Sequence, residues 1–220
     1  IMGFYRGPNI VTDGLVFAVD AGSTRSYPGS GTTTTSLVGS NTGTLSNGVA
    51  YVSGNGGSWD FDGVDDFIDT TFTIPAGDRS LEFWVYYNTL SSTSGGGYSL
   101  MGVQEGADKY LYSGIQSNGS GYSYAGNTGG AYSYTFSAAT WYHIALAMGS
   151  GTSRNYVNGE QVATRTYTSS VASTIEVMIG AINQQHEIDG LVPLTRVYNK
   201  ELSAAEVLQN FNAQRSRFGL

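Results

Sequence analysis

The chain has 220 residues, enough for one all-β sandwich, and its 31 glycines, 16 tyrosines and 12% charged residues describe many strands and turns under a weakly charged surface. A formal net charge of −7, with Lys109 and Lys200 as the only lysines, argues against nucleic-acid binding. With no cysteine, disulfides, thiolate metal sites and cysteine nucleophiles are excluded, and no apolar run approaches the roughly 20 residues of a membrane span.

Residues 1–13 read as an N-terminal arm. Gly3, Gly7 and Pro8 interrupt regular structure, while Phe4, Tyr5, Ile10 and Val11 are apolar groups suited to docking on a neighbour. The alternative is a first strand closing onto its own sandwich. No signal-peptide core is visible in this segment. Residues 15–20 (Leu-Val-Phe-Ala-Val-Asp) form a short continuous apolar run, predicted as a strand covered on both faces, and a turn-rich loop follows.

Between Ser58 and Thr73, Trp59 and Phe61 alternate toward one face, Asp62-Gly63 makes a turn, and Phe67 resumes a strand. Residues 81–87 and 141–148 are predicted core strands. Residues 156–162 hold a hairpin around Asn158-Gly159, the residue pair that a type I′ turn favours. One more strand is expected over residues 175–179. No internal repeat or linker is visible.

The chain closes on a strand-to-helix transition. Val192, Leu194, Val197 and Tyr198 give a strand pattern, with Pro193 expected at a strand start or bulge. Ser203 and Glu206 have the spacing of a capping box, Leu202 and Val207 that of a hydrophobic staple, and Val207, Leu208 and Phe211 form an apolar stripe. One short helix over residues 204–212 is predicted, docked on a sheet made by everything upstream.

Three stretches carry a resemblance. Residues 196–207 (Arg-Val-Tyr-Asn-x-x-Leu-Ser-x-x-Glu-Val) are similar to the end of laminin-G-like jelly-roll domains of the concanavalin A-like lectin/glucanase superfamily. Phe61-Asp62-Gly63-x-x-Asp66-Phe67-Ile68 matches that family's Phe-Asp-Gly-x-x-Asp-Tyr-Val element. Residues 14–22 and 26–33 resemble the opening of such domains in virion proteins of marine tailed phages. Where those relatives continue Trp-x-Asp-Leu-Ser-Gly-Asn-Gly, residues 34–41 read Thr-Thr-Ser-Leu-Val-Gly-Ser-Asn, without the tryptophan and the aspartate.

The resemblance implies an all-β, two-sheet antiparallel jelly-roll sandwich over residues 14–220 with one short C-terminal helix. It further implies a non-enzymatic virion surface protein, a capsid decoration or tail/fibre tip, that binds capsid or tail proteins or a cell-surface glycan. An extracellular bacterial adhesin or carbohydrate-binding module is the alternative, and a glucan hydrolase the third. A single jelly roll presents a modest patch, so a homo-oligomer or a symmetric array is expected to supply avidity. Nucleic-acid binding and membrane insertion are not expected.

Four candidate sites compete with plainer explanations. Jelly-roll glucanases of the superfamily carry Glu-x-Asp-x-(x)-Glu, and Glu187-Ile188-Asp189 imitates its start, but Leu191 and Val192 stand where the third carboxylate belongs. No catalytic residue is therefore assigned, and His143, with His186 the only other histidine, completes no triad. Asp60, Asp62, Asp65, Asp66 and Asp69 form an acidic run without a basic residue, which suits either a solvated turn or a Ca²⁺ ion, although Gly63 comes too early for an EF-hand. No other cofactor is expected. Tyr122, Tyr124, Tyr132 and Tyr134, at period 2 among Ser, Asn and Gly, are the candidate ligand-binding residues, against the plainer reading that they merely cover a sheet. Asn118-Gly119-Ser120 also has the form of a glycosylation sequon.

Overall fold

A computed structural model gives the protein's structure over residues 8–90, 98–105, 109–116, 118–169, 176–182 and 186–220, the described residues. The first strands are β1 (Leu15–Asp20), β2 (Thr33–Thr35), β3 (Thr42–Ser46), β4 (Ala50–Val52), β5 (Ser58–Asp62), β6 (Phe67–Thr73), β7 (Arg79–Tyr87) and β8 (Tyr98–Glu105). After them come β9 (Lys109–Ile115), β10 (Ser120–Gly126), β11 (Thr128–Thr135), β12 (Trp141–Gly149), β13 (Thr152–Val157) and β14 (Glu160–Thr166). β15 (Glu176–Ile179), β16 (Asp189–Val192), β17 (Leu194–Tyr198) and the helix α1 (Ala204–Gln214) close the chain.

These strands form two sheets, antiparallel throughout. The nine-stranded first sheet runs β14-β13-β12-β7-β16-β5-β4, with β17 joining β1 to β7. The eight-stranded second sheet runs β11-β10-β9-β8-β15-β6-β3-β2. Alternation of side chains decides which face of each strand is buried. On β7, Leu81, Phe83, Val85 and Tyr87 enter the core between the sheets, as do Ile144, Leu146 and Met148 on β12 and Trp59 and Phe61 on β5. The second sheet answers with Ile68, Leu111, Ile115, Val177 and Ile179. Phe17 of the first sheet stacks on Phe72 of the second with ring centroids 4.7 Å apart. Full burial of each such side chain contributes about 1.5–3 kcal/mol.

The opposite face of the first sheet carries the helix. Ser203 accepts from the Glu206 backbone N–H while the Glu206 carboxylate accepts from the Ser203 backbone N–H, so the expected capping box is present. Leu202 and Val207 are both buried, against Ala145, Ala147, Tyr156 and Tyr198. Farther along, Phe211 and Phe218 pack on Trp84, at 5.8 and 4.2 Å between centroids.

Two details depart from the sequence reading, in the helix, while Pro193 falls where it is expected, at a strand start. The helix extends to Gln214 rather than ending at residue 212. Leu208 is 44% exposed, because the docked stripe is Val207, Asn210 and Phe211, and Leu208 lies about 100° round the helix from Val207. Pro193, which has no N–H to donate, separates β16 from β17.

Of residues 1–13, residues 1–7 lie outside the described residues. Residues 9–13 run along the helix: Gln209 Nε2 donates to Asn9 O at 2.8 Å, and Lys200 Nζ donates to Asp13 Oδ2 at 2.6 Å. The Asn158-Gly159 turn is found as expected, with φ of 51° and 82° and Val157 paired to Glu160.

Candidate functional site

The meander β9-β10-β11 at the edge of the second sheet places the tyrosines. On β9 and β10, Leu111, Ile115 and Ala125 face the core, so the alternating residues Tyr110, Tyr112, Tyr122 and Tyr124 face outward. The β9–β10 register is centred on a residue, Asn118, and pairs Tyr112 with Tyr124. Even-numbered residues of both strands therefore share a face. The β10–β11 register is centred between Gly126 and Asn127, pairing Tyr124 with Gly129 and Gly121 with Tyr132. That register reverses the parity, so Tyr132 and Tyr134 fall on the other face.

This corrects the expectation that four tyrosines of residues 122–134 share one surface. Tyr122 and Tyr124 are brought together. Tyr132, 5% exposed, lies in the core with its ring over Gly121, where a Cβ would collide with it. Tyr134 packs on the core beside Phe136, 4.8 Å between centroids. Their places on the outer face are taken by Tyr110 and Tyr112, which the sequence reading did not single out. The signal was there, in Tyr110-Leu111-Tyr112 alternating as Tyr122-Ser123-Tyr124 does, but only the register shows that the two pairs meet.

The four outward rings form one cluster. Tyr110 and Tyr124 are 5.0 Å apart between centroids, Tyr112 and Tyr124 5.5 Å, Tyr122 and Tyr124 5.7 Å, and Tyr112 lies nearly parallel to Tyr122 at 6.3 Å. With Gln116 and His186 they line a cleft of about 230 Å³, and all six residues are half-buried. The Tyr124 ring lies over Gly129, whose missing side chain makes room for it. Burial, followed by the neighbouring tyrosines, raises the Tyr112 pKa well above the usual tyrosine range. Burial also raises that of Tyr122, helped by its contact with Tyr124. Both hydroxyls therefore stay neutral and can donate as well as accept hydrogen bonds. No Asp, Glu, Lys or Arg is among the described residues lining the cleft. His186 has φ of +60°, uncommon for a non-glycine residue.

The candidate carboxylates lie elsewhere: Asp60, Asp62 and Asp189 on β5 and β16 of the first sheet, Glu187 just before β16, Asp65 and Asp66 in the turn after β5, and Asp69 on β6 of the second sheet. Asp189 accepts from Asn88 Nδ2 at 3.0 Å and from Thr89 Oγ1 at 2.8 Å, and Glu187 is buried. Around the turn from β5 to β6, Asp62, Asp65 and Asp66 have ligand oxygens within 4.8 Å of one another. Asp69, exposed on β6, is not in that group. His143 is fully buried beneath the helix, its Nε2 3.2 Å from Glu82 Oε1. Asn118 is exposed, with its Oδ1 accepting from Ser120 N at 2.9 Å.

Residues 62–208 match the family model of the concanavalin A-like lectin/glucanases superfamily, and the chain belongs to that superfamily. No curated protein sequence matches significantly. Among solved structures, Trypanosoma rangeli sialidase superposes with a TM-score of 0.70 at 16% identity, covering 94% of this chain and 34% of the sialidase. This chain thus spans about a third of that protein's length. Domain 4 of AbnA, a GH43 extracellular arabinanase from Geobacillus stearothermophilus solved with arabinotriose, gives a TM-score of 0.68 at 15% identity, covering 90% of this chain and 98% of that domain. The receptor-binding domain of botulinum neurotoxin type G gives 0.69 at 13% identity, covering 92% of this chain and 52% of the other. At these identities the likeness is one of fold.

Proposed function

We propose that this member of the concanavalin A-like lectin/glucanases superfamily is a non-enzymatic attachment module that holds an uncharged saccharide on its tyrosine face. One observation supports this above all: Tyr110, Tyr112, Tyr122 and Tyr124 present their rings together around a cleft lined by no charged side chain among the described residues. The C–H faces of a sugar ring stack on aromatic faces, and neutral tyrosine hydroxyls with the Gln116 amide serve its hydroxyl groups. A carboxylated sugar would be desolvated there with no Lys or Arg among the described lining residues to pair it. The arabinotriose complex of the arabinanase domain supports saccharide recognition by analogy of fold. Catalysis is not part of the proposal, since Leu191 and Val192 stand where a third carboxylate belongs and no Asp or Glu is among the described residues lining the cleft.

The proposed setting is a virion surface, as capsid decoration or tail/fibre tip, held by capsid or tail proteins in a homo-oligomer or symmetric array. Support comes from the resemblance of residues 14–33 to the opening of phage virion domains and from the avidity that weak single sites need. A second reading, a carbohydrate-binding module of an extracellular bacterial protein, is favoured by the near-complete coverage of the arabinanase domain. Cryo-EM of native particles separates the two: density for this sandwich on the shell or tail supports the first, and its absence sinks it. A glycan array tests the saccharide, with neutral glycans retained and sialylated or uronic ones not. A strict preference for acidic glycans would contradict the site.

A further inference from the structure

Two edge strands meet beside the tyrosine face, and they belong to different sheets. β11 ends the second sheet and β14 ends the first, and among the described residues no ladder joins them. They nevertheless pack side by side. Asn127, in the turn between β10 and β11, donates through Nδ2 to Thr168 Oγ1 at 2.9 Å. Its Oδ1 accepts from the backbone N–H groups of Thr168 and Ser169, each at 3.3 Å. Farther along the seam Arg165 of β14 reaches across. Its Nη2 donates to Ala131 O of β11, and its Nη1 donates to Ser123 Oγ of β10 at 3.0 Å.

That reach matters because β10 carries little of its own beneath the rings. Its inward positions are Gly121, Ser123 and Ala125, none with a large side chain. Ser123 is buried on the opposite face of the strand from Tyr122 and Tyr124, between them in sequence. Arg165 thus brings a charge-assisted hydrogen bond to the underside of the tyrosine face. Burial raises the Tyr122 pKa and the Arg165 charge opposes that rise, so the guanidinium lies within electrostatic reach of the ring. Glycine at positions 121, 126, 129 and 130 weakens the hairpin's own hold on its shape. The Tyr124 ring rests on one of these, Gly129. A planar guanidinium bound to β10 and β11 together sets their position against the first sheet.

We propose that Arg165 and Asn127 are positioning residues of the tyrosine face. They form a clasp from the first sheet that fixes the β10–β11 hairpin, and with it the placement of Tyr122 and Tyr124 against Tyr110 and Tyr112. The effect on affinity rests on the saccharide reading of that face; the clasp itself does not. Neither residue is among those described as lining the cleft, so both act through the tyrosines. With the clasp made, a sugar meets rings already in place, and less binding energy is lost to ordering them. With it released, two unladdered strand edges face each other and the hairpin moves at the seam.

The full chain is compared as wild type, Arg165→Met, Arg165→Lys and Asn127→Ala, by hydrogen exchange and by calorimetric titration with the neutral glycan that wild type binds best. Arg165→Met and Asn127→Ala should speed amide exchange across residues 120–135, leave the helix amides unchanged and weaken binding severalfold. Arg165→Lys keeps the charge without the fork and should fall between. A cross-link separates positioning from bulk stability. The chain has no cysteine, so Asn127→Cys/Thr168→Cys added to Arg165→Met puts a single thiol pair at the seam. Oxidised, that variant should regain affinity close to wild type; reduced, it should bind no better than Arg165→Met. Exchange across residues 120–135 that neither Arg165→Met nor Asn127→Ala alters would overturn the clasp. Faster exchange with unchanged affinity, or a formed disulfide that restores nothing, would overturn the positioning role. A wild type that binds no neutral glycan would refute the saccharide reading instead, and exchange alone then decides the clasp.

Discussion

Asn210 of the helix donates to Glu82 of the central strand across 2.5 Å, and neither side chain is exposed. The same carboxylate accepts from Arg196 at 2.7 Å and lies 3.2 Å from His143. The Asn210 carbonyl accepts from Val11 N at 2.7 Å, while Tyr198 Oη donates to Val11 O at 3.1 Å. One buried polar cluster thus fastens β7, β12, β17, the helix and residue 11. Glu82→Ala leaves Arg196 as an uncompensated buried charge and should cost about 3–5 kcal/mol. Asn210→Ala should cost about 1–3 kcal/mol. Urea midpoints check both, and losses no larger than those of exposed substitutions would deny the cluster its role.

Two carboxylates predict opposite pH dependences. Burial alone would raise the Glu82 pKa, but Arg196, His143 and Asn210 outweigh it and hold the value below the usual glutamate range. Its stabilisation is therefore present above about pH 4.3 and is lost as pH falls through the lower folded value. Glu82→Gln should flatten that acid limb. Asp66 is the reverse. Burial, with repulsion from Asp62, Asp65 and Asp60 added, pushes its carboxyl up to about 6. The wild type should lose stability as pH rises from about 4 toward 6, relative to Asp66→Asn. Parallel curves for the two proteins over that range would contradict the raised Asp66 carboxyl.

The helix cap gives a prediction of scale. Ser203→Ala strands a helix N–H and should cost about 1 kcal/mol. Phe211→Ala, which empties the space over Trp84 and His143, should cost roughly 3 kcal/mol. Equal and negligible shifts in denaturation midpoint would mean that the helix does not hold to the sheet as described.

What could be read in the sequence was local. Ser203 with Glu206, Asn158 with Gly159, and Trp59 with Phe61 each act within a few residues, so spacing alone placed them. Asn210 and Glu82 could not be paired in this way, because 128 positions separate them and polar residues break the hydrophobic pattern that marks a buried stripe. The tyrosine face failed for another reason. Period 2 within a strand is visible, but which strands share a face depends on whether a turn is centred on a residue or between two. Tyr132 and Tyr134 kept the right period and took the wrong face; Tyr110 and Tyr112 were recruited from a strand that the composition of residues 119–136 did not include.

Absence of hydrolysis is the expected outcome on β-glucans, agarose and carrageenan, given Leu191 and Val192 in place of a third carboxylate. Turnover that disappears in Glu187→Gln would overturn that expectation, and reducing-sugar release over long incubations is the measurement.

The tyrosine face is tested most directly by calorimetric titration of the best neutral glycan into wild type, Tyr112→Ala/Tyr124→Ala and Tyr112→Phe/Tyr124→Phe, each shown to be folded by near-UV circular dichroism. Removing both rings should weaken binding by about 2 kcal/mol or more, roughly thirtyfold. The phenylalanine pair keeps the stacking faces and should lose less. Affinity should change little between low and high salt, since no charge lines the described cleft. A folded alanine double variant that binds as tightly as wild type would show that these tyrosines only cover the sheet and that the ligand sits elsewhere.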